Sequence, residues 1–68
     1  MLIEGKVDGH SEKLWVRGTG ITAVSLYYGA FDNLWYMAVK YGVTQTVFQF
    51  DSEEEAKKEF NRIKMETR

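Results

Sequence analysis

The stretch VFQFDSEEEAKKEFNRI, residues 47–63, decides the fold, because a strand pattern runs directly into a helix pattern there. Its first four residues place two phenylalanines on one side, as in a β-strand. Ser52 is followed three residues later by Glu55, which is the capping-box pattern of a helix start. Glutamates come first and lysines follow, as the helix dipole favours. The stretch predicts a helix over residues 52–66 with a narrow apolar stripe of Ala56, Phe60 and Ile63.

Toward the N-terminus, five segments are rich in β-branched and aromatic residues and are separated by turn residues. No helix pattern lies between them, so we expect successive strands to pair antiparallel as an up-and-down meander. Turns are predicted at Gly9–Glu12, at Gly18–Gly20, at Gly29 with Asp32 and Asn33, and at Gly42, where a positive φ is expected. The predicted strands span residues 2–8, 13–17, 21–28, 34–41 and 43–50.

The resulting fold class is α+β, in one domain spanning residues 1–68: about five antiparallel strands packed by one C-terminal helix. The sheet either stays open or curls toward a small barrel. Alternation along each strand assigns the side chains to two faces. The face predicted to pack on the helix holds Ile3, Val7, Leu14, Val16, Val24, Leu26, Trp35, Met37, Val39, Phe48 and Phe50. The outer face is predicted to hold Trp15, Ile21, Tyr27, Leu34, Tyr36 and Val47. A one-residue slip would exchange the faces, and that alternative stays open.

Length and composition limit how the chain can be stabilised. A domain of 68 residues buries a modest core, and small domains usually add disulfides, a metal or an oligomer interface. The chain has no cysteine and one histidine, His10, so we expect neither a disulfide nor a zinc site. Of these three means of stabilisation, the composition leaves oligomerisation open. We also expect no signal peptide, no membrane segment and a cytoplasmic location.

Charge is concentrated in the helix, and aromatic residues are concentrated in the strands. Residues 1–50 hold nine of the ten aromatic residues, and the net charge of the chain is −1. One helix covers one face of a sheet, so the aromatic outer face would be left for a partner. We predict a small protein-interaction module, an adaptor or an inhibitor acting by surface occlusion, that binds another protein or itself. The predicted contact residues are Trp15, Arg17, Tyr27, Leu34 and Tyr36.

No sequence pattern predicts catalysis. Asp8, His10, Ser11 and Glu12 combine acid, imidazole and hydroxyl, but they lie in one predicted turn without a scaffold to hold them. Gly18-Thr19-Gly20 precedes a strand, whereas a phosphate-binding loop precedes a helix. The glutamates at 53–55 point in different directions from a helix and serve its cap and dipole. We therefore expect a protein that is not an enzyme and has no cofactor and no metal.

Single-stranded nucleic acid is the alternative partner. Antiparallel sheets with surface aromatics stack bases in several binding modules, and Trp15, Tyr27 and Tyr36 fit that role. Lys13, Arg17 and Lys40 would then meet phosphate. The near-neutral charge argues against it, since phosphate contacts dominate such affinities and a footprint is normally basic.

The segment from Leu34 to Lys64 resembles the second half of a WGR domain: an aromatic strand, an aromatic-Gly turn, a strand ending in Phe, and Ser-x-x-Glu-Ala-x-x-x-Phe in a helix. The residues are Tyr41, Gly42, Phe48, Phe50, Ser52, Glu55, Ala56 and Phe60. The Trp and Arg that name the family are replaced by Tyr41 and Val43, so no function is carried over. The order of elements also resembles PH-like small barrels, which are mostly binding modules; this is an analogy of fold.

Overall fold

The computed structural model describes residues 1–67 and contains five strands followed by one helix. The strands agree with the predicted segments to within a few residues, because their alternation and turn residues are local signals. They are β1 (Leu2–Val7), β2 (His10–Trp15), β3 (Ile21–Gly29), β4 (Leu34–Tyr41) and β5 (Thr44–Phe50), and the helix is α1 (Glu53–Glu66).

All five strands form one antiparallel sheet in the order β2-β1-β5-β4-β3, which packs against α1. This confirms the α+β class and the antiparallel sheet with a C-terminal helix. The expected pairing of every strand with the next is wrong at one place, because β1 pairs with β5 through Lys6 and Gln49. Consequently β2 and β3 are the two edges, joined through a 3₁₀ turn at Gly18–Gly20, and the sheet is open.

Two short turns set the register of the hairpins. The β1–β2 turn consists of Asp8 and Gly9, both with positive φ (51° and 83°), and Val7 pairs with His10. The predicted turn at Gly9–Glu12 is therefore too long, since an Asp-Gly pair already suits a two-residue hairpin. The β4–β5 turn places Gly42 at φ 56°, which confirms the predicted positive φ.

The core lies between α1 and the face of the sheet that the alternation assigned to it. Predicted core residues are buried or pack against the buried cluster, so the alternative with exchanged faces is wrong. Phe48, on β5, is completely buried near the centre of this layer. The buried cluster consists of Ile3, Met37, Val39, Phe48, Phe50, Ala56 and Ile63.

Ile21 is the exception among the face assignments. It was expected on the outer face, but it packs against the core. The pairing of β3 with β4 shifts between Ile21 and Ala23, where a bulge inserts one residue. Because an inserted residue reverses the alternation, Ile21 turns to the side opposite that of Ala23.

The start of α1 follows the capping prediction. Ser52 Oγ accepts a hydrogen bond from the amide of Glu55 at 3.2 Å. The order of glutamates before lysines also predicts ion pairs one turn apart, Glu53 with Lys57 and Glu54 with Lys58. The first pair forms, whereas the second is absent from the ion pairs of the described residues. Within residues 1–67, no helix has both the length and the apolar character needed to cross a membrane.

Candidate interaction surface

The β3–β4 hairpin carries aromatic side chains on both of its faces near its turn. A four-residue loop joins the strands; Asn33 has φ 59° and donates its amide to the Gly29 carbonyl at 2.9 Å. Asp32 Oδ1 accepts the amide of Leu34 at 3.1 Å, which fixes the end of the loop. We call this region the aromatic end; its residues are Tyr27, Tyr28, Phe31, Trp35 and Tyr36.

Tyr27 and Tyr36 lie opposite each other on the outer face of the hairpin. Their rings are stacked, with centroids 5.3 Å apart and planes inclined by 12°. The Tyr36 hydroxyl donates a hydrogen bond to Asp32 Oδ2. This bond lowers the pKa of Asp32, because it stabilises the carboxylate, and raises the pKa of Tyr36, because it stabilises the neutral phenol. The pair is thus held in a defined position by the loop.

Replacing Asp32 by asparagine should bring the pKa of Tyr36 back down toward its ordinary value of 10.0, because the charged acceptor is lost. Titration of each tyrosine by NMR with ¹³C-labelled tyrosine measures this change. Asp51→Asn, which removes a carboxylate that is not bonded to Tyr36, should leave the pKa of Tyr36 unchanged. An equal shift in both variants would contradict the assigned bond.

The same bond should make stability depend on pH at both extremes. The pKa of Asp32 is lowered in the folded state, so its contribution is present above the ordinary value of 3.8 and is lost as pH falls through the folded pKa. The pKa of Tyr36 is raised, so its contribution is present below 10.0 and is lost as pH rises through the folded pKa. In Asp32→Asn both dependences should weaken.

Tyr28 and Trp35 form a second aromatic pair on the opposite face of the hairpin. Their ring centroids lie 5.3 Å apart with planes at 54°, and the Tyr28 hydroxyl donates to Asn33 Oδ1 at 2.8 Å. Tyr28 is 49% exposed, whereas Trp35 packs against the core. Phe31, at the tip of the loop, is fully exposed. The sequence prediction did not assign Tyr28 or Phe31 to a site; the aromatic doublets flanking a short loop are the signal that could have found Tyr28.

The two edges of the sheet differ in charge. β3 spans nine residues without a charged residue or a proline. β2 has six residues, and they include His10, Glu12 and Lys13. Natural proteins commonly protect edge strands with charges, prolines or short length, because an open edge pairs readily with another strand. By this criterion β2 is protected and β3, apart from its bulge, is not.

The predicted contact residues fall into two groups. The first group lies together on the outer face and consists of Tyr27, Leu34 and Tyr36. Tyr27 pairs with Tyr36, and Leu34 lies two residues before Tyr36 on the same strand, so its side chain is on the same face. Trp15 also lies on the outer face and is 75% exposed, but it belongs to β2 at the other edge, and Arg17 follows it. In a flat sheet β2 and β4 would be roughly 14 Å apart, so the two groups do not touch each other through neighbouring strands.

An open cleft of about 710 Å³ lies between the β1–β2 hairpin and α1, and the sequence did not predict it. Its lining mixes both charges, and several of them neutralise one another: Lys6 contacts Asp51, Lys13 contacts Glu4, and Arg62 binds Glu59. Arg62 also donates to the Leu2 carbonyl, which ties the helix to β1. The cleft therefore has no excess of one charge that would attract a charged ligand. Residues 1–67 contain no group of three side chains suited to hold a metal ion.

The chain matches no model of a protein family, no curated protein and no solved structure. The resemblance of residues 34–64 to a WGR domain therefore gains no support from these comparisons.

Proposed function

We propose that this protein is a small, non-catalytic protein-interaction module, an adaptor or an inhibitor that acts by covering a partner's surface. Its contact is the free edge of β3 together with the adjoining outer-face residues Tyr27, Leu34 and Tyr36. One observation carries the proposal: the longest strand of the sheet lies at an edge and has no charge along its nine residues.

An open edge strand binds an extended segment by adding it to the sheet. Backbone hydrogen bonds then supply affinity, and side chains on alternate faces supply specificity. A strand added beside β3 would lie next to Tyr27 on the outer face and next to Tyr28 on the opposite face. Both rings are about half exposed, at 46% and 49%. Tyrosines are enriched at such contacts because they combine apolar area with a polar group.

Trp15 and Arg17 remain predictions for a second contact at the β2 edge. The non-catalytic part of the proposal rests on the residues available: one histidine, no cysteine, and no sequence motif for a nucleophile and its base. We place the protein in the cytoplasm, which suits a chain that needs no disulfide.

Nucleic acid is the weaker candidate for this surface. Two cations of the outer face, Lys6 and Lys13, already contact carboxylates at 3.4 and 3.9 Å. A phosphate backbone would have to compete with these carboxylates. Tyr27 and Tyr36 also stack on each other, so each ring has one face fewer to offer to a base.

The proposal can be tested by replacing Tyr27 with a photo-crosslinking amino acid in the cells that naturally make the protein and identifying the adducts formed on illumination. We expect it to form an adduct with one defined protein, either another chain or this one. The same group at Asn61, on the exposed side of α1, is the control and should give only background. Adducts with RNA or DNA at position 27, together with oligonucleotide binding that weakens with salt, would contradict the proposal and favour nucleic acid as the partner. The same background at both positions would also contradict the proposal.

A further inference from the structure

The free edge of β3 presents the backbone groups of alternate residues, and two hydrogen bonds identify them. Thr22 Oγ donates to the Lys40 carbonyl at 3.2 Å, so that carbonyl faces β3. The Gly29 carbonyl accepts the amide of Asn33 across the hairpin loop, so it faces inward. In an antiparallel pair, successive residues direct their N–H and C=O groups to opposite sides. The amides and carbonyls of Val24, Leu26 and Tyr28 therefore point away from β4, toward the open edge.

We propose that the occupant of this edge is a second copy of the chain. Two β3 strands would pair antiparallel about a two-fold axis at Leu26, forming one continuous sheet through both subunits. This inference rests on the proposed function, since it names the partner of the same surface. Symmetric pairing is the commonest arrangement of oligomers, and it makes a strand meet its own sequence.

The Leu26-centred register uses all three residues whose backbone groups face outward. Leu26 lies opposite Leu26 of the second copy, and Val24 of each copy lies opposite Tyr28 of the other. With two hydrogen bonds for each of these pairs, the edge would gain about six. The contact ends before the bulge at Thr22, which would interrupt a register extended toward the start of β3.

Side-chain size and charge suit this self-pairing. On the outer face, Ser25 would lie opposite Tyr27 of the second copy, so a small residue faces a large one. On the helix side, Val24, Leu26 and Tyr28 would continue the apolar layer from one subunit into the other. A strand that pairs with itself brings identical charges close together, and β3 has none. The β2 edge, with Glu12 and Lys13, lacks this advantage.

Molar mass in solution and amide hydrogen exchange, both measured against protein concentration, test the inference on the unaltered chain. We expect a mass of twice 7.9 kDa at high concentration. The amides of Val24, Leu26 and Tyr28 should be protected in the dimer and should exchange rapidly after dilution. The amides of Ser25 and Tyr27 are internal controls, because they face β4 and should stay protected at every concentration.

Two variants at one position isolate the backbone contribution. Tyr28→Pro removes an outward amide without removing a bond to β4, and proline is tolerated at such edge positions. Tyr28→Ala removes the same ring but keeps the amide. Because each dimer loses two hydrogen bonds, Tyr28→Pro should weaken dimerisation about tenfold or more relative to Tyr28→Ala. The NMR spectrum of each variant establishes that it folds.

Three results would overturn the inference. They are a monomer at all concentrations with rapid exchange at Val24, Leu26 and Tyr28; a dimer in which these three amides still exchange rapidly; or equal dimerisation of the two Tyr28 variants. None of these would refute the proposed function if the crosslink at Tyr27 joins a different protein. If the crosslink at Tyr27 finds no protein and the mass is that of a monomer, both fail.

Discussion

Replacing Phe48 with alanine should lower the free energy of unfolding by about 3–5 kcal/mol. Phe48 is completely buried, and its neighbours in the buried cluster come from β1, β4 and α1 as well as from β5. Removing the ring would leave a cavity that rigid strands close only in part. A domain of this size has roughly 3–10 kcal/mol of total stability, so this loss would remove a large part of it. Urea unfolding followed by circular dichroism measures the loss.

Phe31→Ala is the matched control, because it deletes the same side chain at the fully exposed tip of the β3–β4 loop. Its free energy of unfolding should stay within about 0.5 kcal/mol of the unaltered chain. Both variants need to be compared at one protein concentration, since association would add to stability. Similar losses in the two variants would mean that Phe48 is not the centre of the core.

Replacing Gly5 with alanine should cost about 1–3 kcal/mol, even though it adds a single methyl group. A Cβ at this position would lie 2.7 Å from Phe48 Cδ1 and 3.0 Å from Phe48 Cβ. Phe48 has no room to move away, because it is completely buried. Gly5 therefore lets β1 lie close against the core. The same unfolding experiment in urea gives the magnitude.

Gly20→Ala is the control for Gly5→Ala, because a Cβ there meets no atom within 4 Å. It should leave stability nearly unchanged. A second test of the cause is Gly5→Ala combined with Phe48→Leu. If the aromatic ring is what the methyl group strikes, the added cost of Gly5→Ala should shrink in that background. An unchanged cost would place the strain elsewhere.

Local signals in the sequence predicted much of this fold. The capping residue Ser52, the alternation along β4 and β5, and Gly42 were each recognised from a few neighbouring residues, and the structure confirms them. The error at Ile21 arose because the alternation of β3 was continued through a bulge. Periodicity alone does not reveal a single inserted residue.

The relative positions of the proposed contact residues were predicted in part. The sequence identified Tyr27, Leu34 and Tyr36 as outer-face residues, and the structure brings them together. It joined Trp15 and Arg17 to the same patch, whereas they lie at the other edge of the sheet. It did not identify β3 as an edge strand. In the expected meander β3 would pair with β2 as well as with β4, and both of its sides would be covered.

The sequence by itself determined the elements and the class of fold, because side-chain periodicity, caps and turns act within a few residues along the chain. The tertiary structure alone decided that β1 pairs with β5, that Gly5 lies against Phe48, and that β3 is an open edge. These features join segments from distant parts of the chain. All three follow from the pairing of β1 with β5, which brings together strands far apart in the sequence. That pairing depends on how the whole core packs, and so it leaves no local pattern in the sequence.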